Sequence, residues 1–68
     1  MVETKLPVYR EARHAAMMRA ESAASALGVS ITTLLNWERG TTKPNAENIR
    51  DMAKLYRVSS DYLLGLIV

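Results

Sequence analysis

The segment LGVSITTLLNWERG, from Leu27 to Gly40, constrains this chain more than any other. It reads as the end of one helix, a short turn built around a glycine, and the whole of a second helix. Gly28 can take the left-handed conformation that ends a helix at no steric cost. Val29 is apolar and can plug the turn. Ser30 is a good N-cap, whose hydroxyl can accept from the backbone N–H of Thr32 or Thr33. Leu34 and Trp37 are three apart and face the core together. Gly40 stops the second helix. Two short helices joined this way form a helix-turn-helix, here over about residues 20–39.

The remainder also reads as helix. Tyr9, Ala12, Ala16 and Met17 give an apolar stripe for a first helix, with Pro7 placed in its first turn. A second helix runs from Ala20 to Leu27, with Ala23, Ala24 and Leu27 inward, and a third from Ile31 to about Arg39. Thr41 to Pro44 make a loop. Asn45 can cap a fourth helix through about Arg57, with Ile49, Met52, Ala53 and Tyr56 on one face. Ser59 or Ser60 caps a short fifth helix from Asp61 to Leu64, which Gly65 ends. Strand alternation is too weak for a sheet.

Composition narrows the function classes. With 68 residues the chain has room for one small domain, residues 1–68 with a core at about 7–65, and 49% apolar residues leave little margin for that core. No cysteine is present, so neither a disulfide nor a cysteine-based zinc site can staple it. The single histidine, His14, stands three after Glu11, a spacing used in carboxylate-bridged metal sites. No second such motif accompanies it, so no metal and no cofactor are expected. No nucleophile–base set is visible, which argues against an enzyme. Glu3, Lys5 and Pro7 interrupt any signal-peptide core, and no apolar run could span a membrane. A soluble, cytoplasmic protein is expected. The net charge of +2 and pI of about 9.3 permit a nucleic-acid partner without requiring one.

LGVS, NWERG, the following KP and the tail VSSDYLLG together resemble the XRE family, the phage-repressor-like (Cro/CI-type) helix-turn-helix domains. The matching segments span roughly residues 7–65. The resemblance implies an all-α, five-helix lambda-repressor-like bundle whose second and third helices read double-stranded DNA. It also implies roles at matched positions. Ile31, Thr32 and Asn36 match base-reading positions, with Thr33 and Leu35 beside them. Ser30 matches a cap that touches phosphate, and Lys43 matches the loop that follows the DNA backbone. Arg39 and Arg19 would add phosphate contacts. Arg13 and Glu38 match an ion pair between the first and third helices. Asn36 is chemically suited to adenine, and Thr32 can donate, accept or touch a thymine methyl.

The chain departs from the family pattern where Ala20 replaces a phosphate-binding glutamine, Arg19 an N-capping threonine, and Ala23 a leucine. Ile31 and Leu35 put apolar side chains where DNA is usually met, so either DNA or a protein could cover them. Trp37 reads as core. Arg50, Lys54 and Arg57 read as a solvated face, and the methionines as gap-fillers. The expectation is a DNA-binding regulator of prophage or mobile-element type, acting as a homodimer on an inverted-repeat operator. The alternative is an antitoxin or protein-interaction module on the same fold. Leu66, Ile67 and Val68, past the Gly65 stop, are the expected dimer contact, with Tyr62 and Leu63 turned inward and Ala46 or Tyr56 at the margin.

Overall fold

Side-chain caps start three of the five described helices, and a glycine follows three of the five. The computed structural model describes residues 7–66 and contains α1 (Tyr9–Ala15), α2 (Ala20–Leu27), α3 (Ile31–Arg39), α4 (Ala46–Tyr56) and α5 (Ser60–Leu64). Ser30 Oγ accepts from the Thr33 amide at 3.1 Å and caps α3. Asn45 and Asn48 form a reciprocal capping box at the start of α4, through bonds of 2.7 and 3.2 Å. Ser59, rather than Ser60, caps α5 by accepting from the Tyr62 amide at 3.0 Å. Neither Val8 before α1 nor Arg19 before α2 offers a side-chain cap.

All five helices end the same way. A residue in the left-handed region follows the last turn, and the next amide reaches back to a carbonyl five residues earlier. Val29 donates to Ala24, Thr41 to Asn36 and Leu66 to Asp61, each over a glycine at Gly28, Gly40 or Gly65. Met18 donates to Arg13 and Val58 to Ala53 over Met17 (φ 59°) and Arg57 (φ 61°). This device corrects the expected first helix. α1 stops at Ala15, so Met17 leaves the stripe and is 91% exposed. Pro7 also lies outside the first turn, ahead of Val8, and its ring packs over Gly40, where an added Cβ would stand 3.5 Å from Pro7 Cδ.

No helix among the described residues is long enough to be stable alone, so the shared core holds them. Leu34 and Met52 are fully buried at its centre, ringed by Tyr9, Trp37, Ile49 and Leu63. α2 packs on α3 and α4 through Ala23 and Ala24, whose small side chains permit close approach. α1 lies across α3 and α4, and α5 rests on α4. Val29 and Leu27 are half-buried against the same core. Of the described methionines, only Met52 fills the centre; Met18 is partly buried at its edge. Tyr56 is buried as well, so it cannot border an exposed interface. Among the described residues its hydroxyl has no hydrogen-bond partner, and burial pushes its pKa up to about 12.

Candidate functional site

The nine residues of α3 divide cleanly by face. Leu34, Trp37 and Glu38 are buried. Thr32 and Arg39 are exposed, Ile31 is 41% exposed, and Thr33, Leu35 and Asn36 are half-buried. At 3.6 residues per turn, Thr32, Asn36 and Arg39 fall within about 60° of one another on the solvent side. The helix thus presents a hydroxyl, a carboxamide and a guanidinium along one line, flanked by apolar Ile31 and Leu35. A carboxamide can donate and accept together at an adenine edge, and a guanidinium suits phosphate.

The Ser30 cap does more than start the helix. Its hydroxyl donates to Thr33 Oγ1 at 2.9 Å while accepting the Thr33 amide. The two side chains therefore hold each other, and Thr33 is oriented by Ser30 rather than free. Lys43 is exposed in the loop between α3 and α4. Arg19 is exposed at the uncapped start of α2.

Behind this face, α1 grips the end of α3. Arg13 Nε donates to Glu38 Oε2 at 2.7 Å, and Nη2 donates to Oε1 at 3.0 Å. Arg13 Nη1 donates to the Met18 carbonyl at 3.1 Å. One guanidinium thus ties together α1, the turn leading into α2, and the last turn of α3. Hydrogen bonding to Glu38 raises the Arg13 pKa further above its ordinary value. The third bond had no sequence signal, because a backbone carbonyl carries no residue identity.

Other positions resolve simply. His14 is exposed, as are Arg50, Lys54 and Arg57. Leu64 and Leu66 are 54% and 69% exposed, while Leu63 is buried and Tyr62 half-buried. Ile67 and Val68, expected at a dimer contact, lie outside the described residues. Among the described residues, no group of three or more His, Cys, Asp or Glu side chains could hold a metal ion. Among them, too, no helix is long and apolar enough to cross a membrane.

Comparison with known proteins adds five observations. Residues 10–63 match the model of a helix-turn-helix family. The chain is 38% identical over 56 residues to the HTH-type transcriptional regulator ImmR of Bacillus subtilis, covering 82% of this chain and 44% of that protein. It is 45% identical over 38 residues to Repressor protein C2 of Salmonella phage P22, covering 56% of this chain and 18% of that protein. The chain therefore spans less than half the length of either relative. Among solved structures, the DNA-binding domain of the P22 C2 repressor superposes with a TM-score of 0.82 at 34% identity, covering 93% of this chain and 86% of that one. The P22 c2 repressor in complex with a synthetic operator gives 0.79 at 34% identity, covering 88% and 94%.

Proposed function

This chain belongs to the XRE-type, phage-repressor-like helix-turn-helix family, and from that membership we propose that it is a sequence-specific DNA-binding transcriptional regulator. The observation that carries the reading is the solvent face of α3, where Thr32, Asn36 and Arg39 line up on a helix clamped from behind by Arg13 and Glu38. A relative of the same fold is an operator-bound repressor. In this reading α3 enters the major groove. Thr32 and Asn36 read base edges, with Ile31 and Thr33 beside them. Arg39, Lys43, Arg19 and the Ser30 end of α3 follow phosphates, which fixes position without choosing sequence.

A unit this small, with a net charge of +2, grips DNA weakly by itself. Pairing solves that by setting two reading helices about 34 Å apart, one turn of duplex. We infer a homodimer on an inverted repeat, joined through the exposed Leu64 and Leu66 and the Ile67–Val68 tail. The regulator would be cytoplasmic, of prophage or mobile-element type, and would act by occupying a promoter. A second reading, an antitoxin or protein-interaction module, draws on the same exposed leucines and on Ile31.

Selection of bound sites from random duplex DNA separates the two. An enriched inverted repeat is the result expected of the regulator. No enrichment would move the apolar surfaces to a protein partner and overturn the DNA reading.

A further inference from the structure

Arg10 is exposed on α1, one turn before Arg13, and no motif in the sequence draws attention to it. Arg39 is exposed in the last turn of α3. The two arginines line one groove between these helices, with Pro7 and Leu35 as its apolar lining. Arg13 and Glu38 border it too, but they neutralise each other through their paired hydrogen bonds. That leaves two cationic groups against the one carboxylate of Glu11. Arg39 also belongs to the face that carries Thr32 and Asn36, so the groove borders the surface assigned to base reading.

We propose that this groove is a phosphodiester-binding site in which Arg10 and Arg39 close on one DNA backbone strand from two different helices. The inference rests on the DNA-binding reading above. A phosphodiester oxygen only accepts hydrogen bonds, and a guanidinium only donates them, in a fork that fits two phosphate oxygens. The Arg13–Glu38 clamp holds α1 against α3, so the backbones that carry the two arginines are already fixed relative to each other. Binding then orders side-chain ends only, which lowers its entropic cost. The contact would set the register of α3 in the groove without reading sequence.

The test uses the full chain, the duplex recovered by site selection, and a scrambled duplex of equal length. Fluorescence anisotropy across a salt series gives affinity and salt slope for wild type, R10Q, R10K and R50Q. R50Q removes the same charge from an exposed position on α4, away from the groove. R10Q should weaken both duplexes by the same factor and make the log–log salt slope shallower by about 0.9. R10K should restore the slope but only part of the affinity, because it lacks the planar fork. R50Q should change the slope by less than half as much as R10Q. A slope for R10Q equal to that of wild type, or equal to that of R50Q, would overturn the groove while leaving the DNA reading standing. A wild-type chain that binds neither duplex would overturn the DNA reading and this inference with it.

Discussion

Arg13 on α1 and Glu38 on α3, 25 residues apart in sequence, are joined by two hydrogen bonds of 2.7 and 3.0 Å, with both side chains buried. The pair ties α1 to the last turn of α3. Removing one partner leaves the other charge stranded away from water, a loss of about 3–5 kcal/mol. Glu38→Ala should therefore lower stability sharply in urea denaturation. Replacing Arg13 and Glu38 together by apolar residues should recover part of that loss, because the second change removes the stranded charge. Additive losses in the double-mutant cycle would show that the two side chains do not interact.

Tyr56 makes an opposite case, a buried polar group with no partner among the described residues. Tyr56→Phe removes the desolvation cost of that hydroxyl, so stability at neutral pH should stay the same or rise by up to about 1 kcal/mol. The pH dependence has a definite sign. The unfolded chain releases the phenolic proton near the ordinary value of 10.0, the folded chain only at about 12. Between those values the folded state holds more protons, so this contribution to stability is complete below 10 and is lost as pH rises toward 12. Tyr56→Phe should lose less stability over that window than wild type. Parallel alkaline curves would contradict the assignment.

Met17 sits in the left-handed region with its side chain 91% exposed, so it meets the conformational cost with almost no packing in return. Met17→Gly should raise stability by about 1 kcal/mol. Gly28→Ala, at the equivalent end of α2, has nothing within 4 Å of the added Cβ and should lose a similar amount through backbone strain alone. Thermal denaturation of both variants checks the pair. Equal and negligible shifts would mean that the helix ends tolerate any residue.

The contrast between these two helix ends explains how far the sequence could be read. Gly28, Gly40 and Gly65 advertise a left-handed stop, so α2, α3 and α5 end where the glycines stand. Met17 advertises the reverse: an apolar residue one position after Ala16 extends the stripe on paper, and only tertiary packing decides that α1 has already ended. Ser30 and Asn45 are legible caps because a short polar side chain before a helical segment has one favoured use, whereas two adjacent serines, Ser59 and Ser60, left the cap of α5 open. The partner of Arg13 was legible only through family resemblance, since no spacing rule links residues 13 and 38. Thr33 held by Ser30, the Met18 carbonyl on Arg13 and the groove beside Arg10 depend on side-chain direction, which periodicity does not carry.

Leu66 donates its amide to Asp61 at 2.9 Å while its side chain stays 69% exposed, so the two roles can be separated. Leu66→Asp keeps the amide and removes the apolar contact proposed for pairing. Sedimentation at micromolar concentration should give a dimer for wild type and a monomer for the variant, with the helical signal in circular dichroism unchanged. A wild-type monomer, or a variant that pairs as well, would exclude this surface as the interface.

The reading role of α3 is tested most directly by measuring how Asn36→Ala and Lys43→Ala bind the selected duplex, each of its single-base variants and a scrambled sequence. Asn36→Ala should cost about 1–3 kcal/mol on the selected duplex and abolish preference at one base pair, while leaving scrambled DNA almost unaffected. Lys43→Ala should weaken every duplex alike and make the salt slope shallower by about 1. If both variants lose the same factor on selected and scrambled DNA, α3 does not read sequence through Asn36, and the account of this face is wrong.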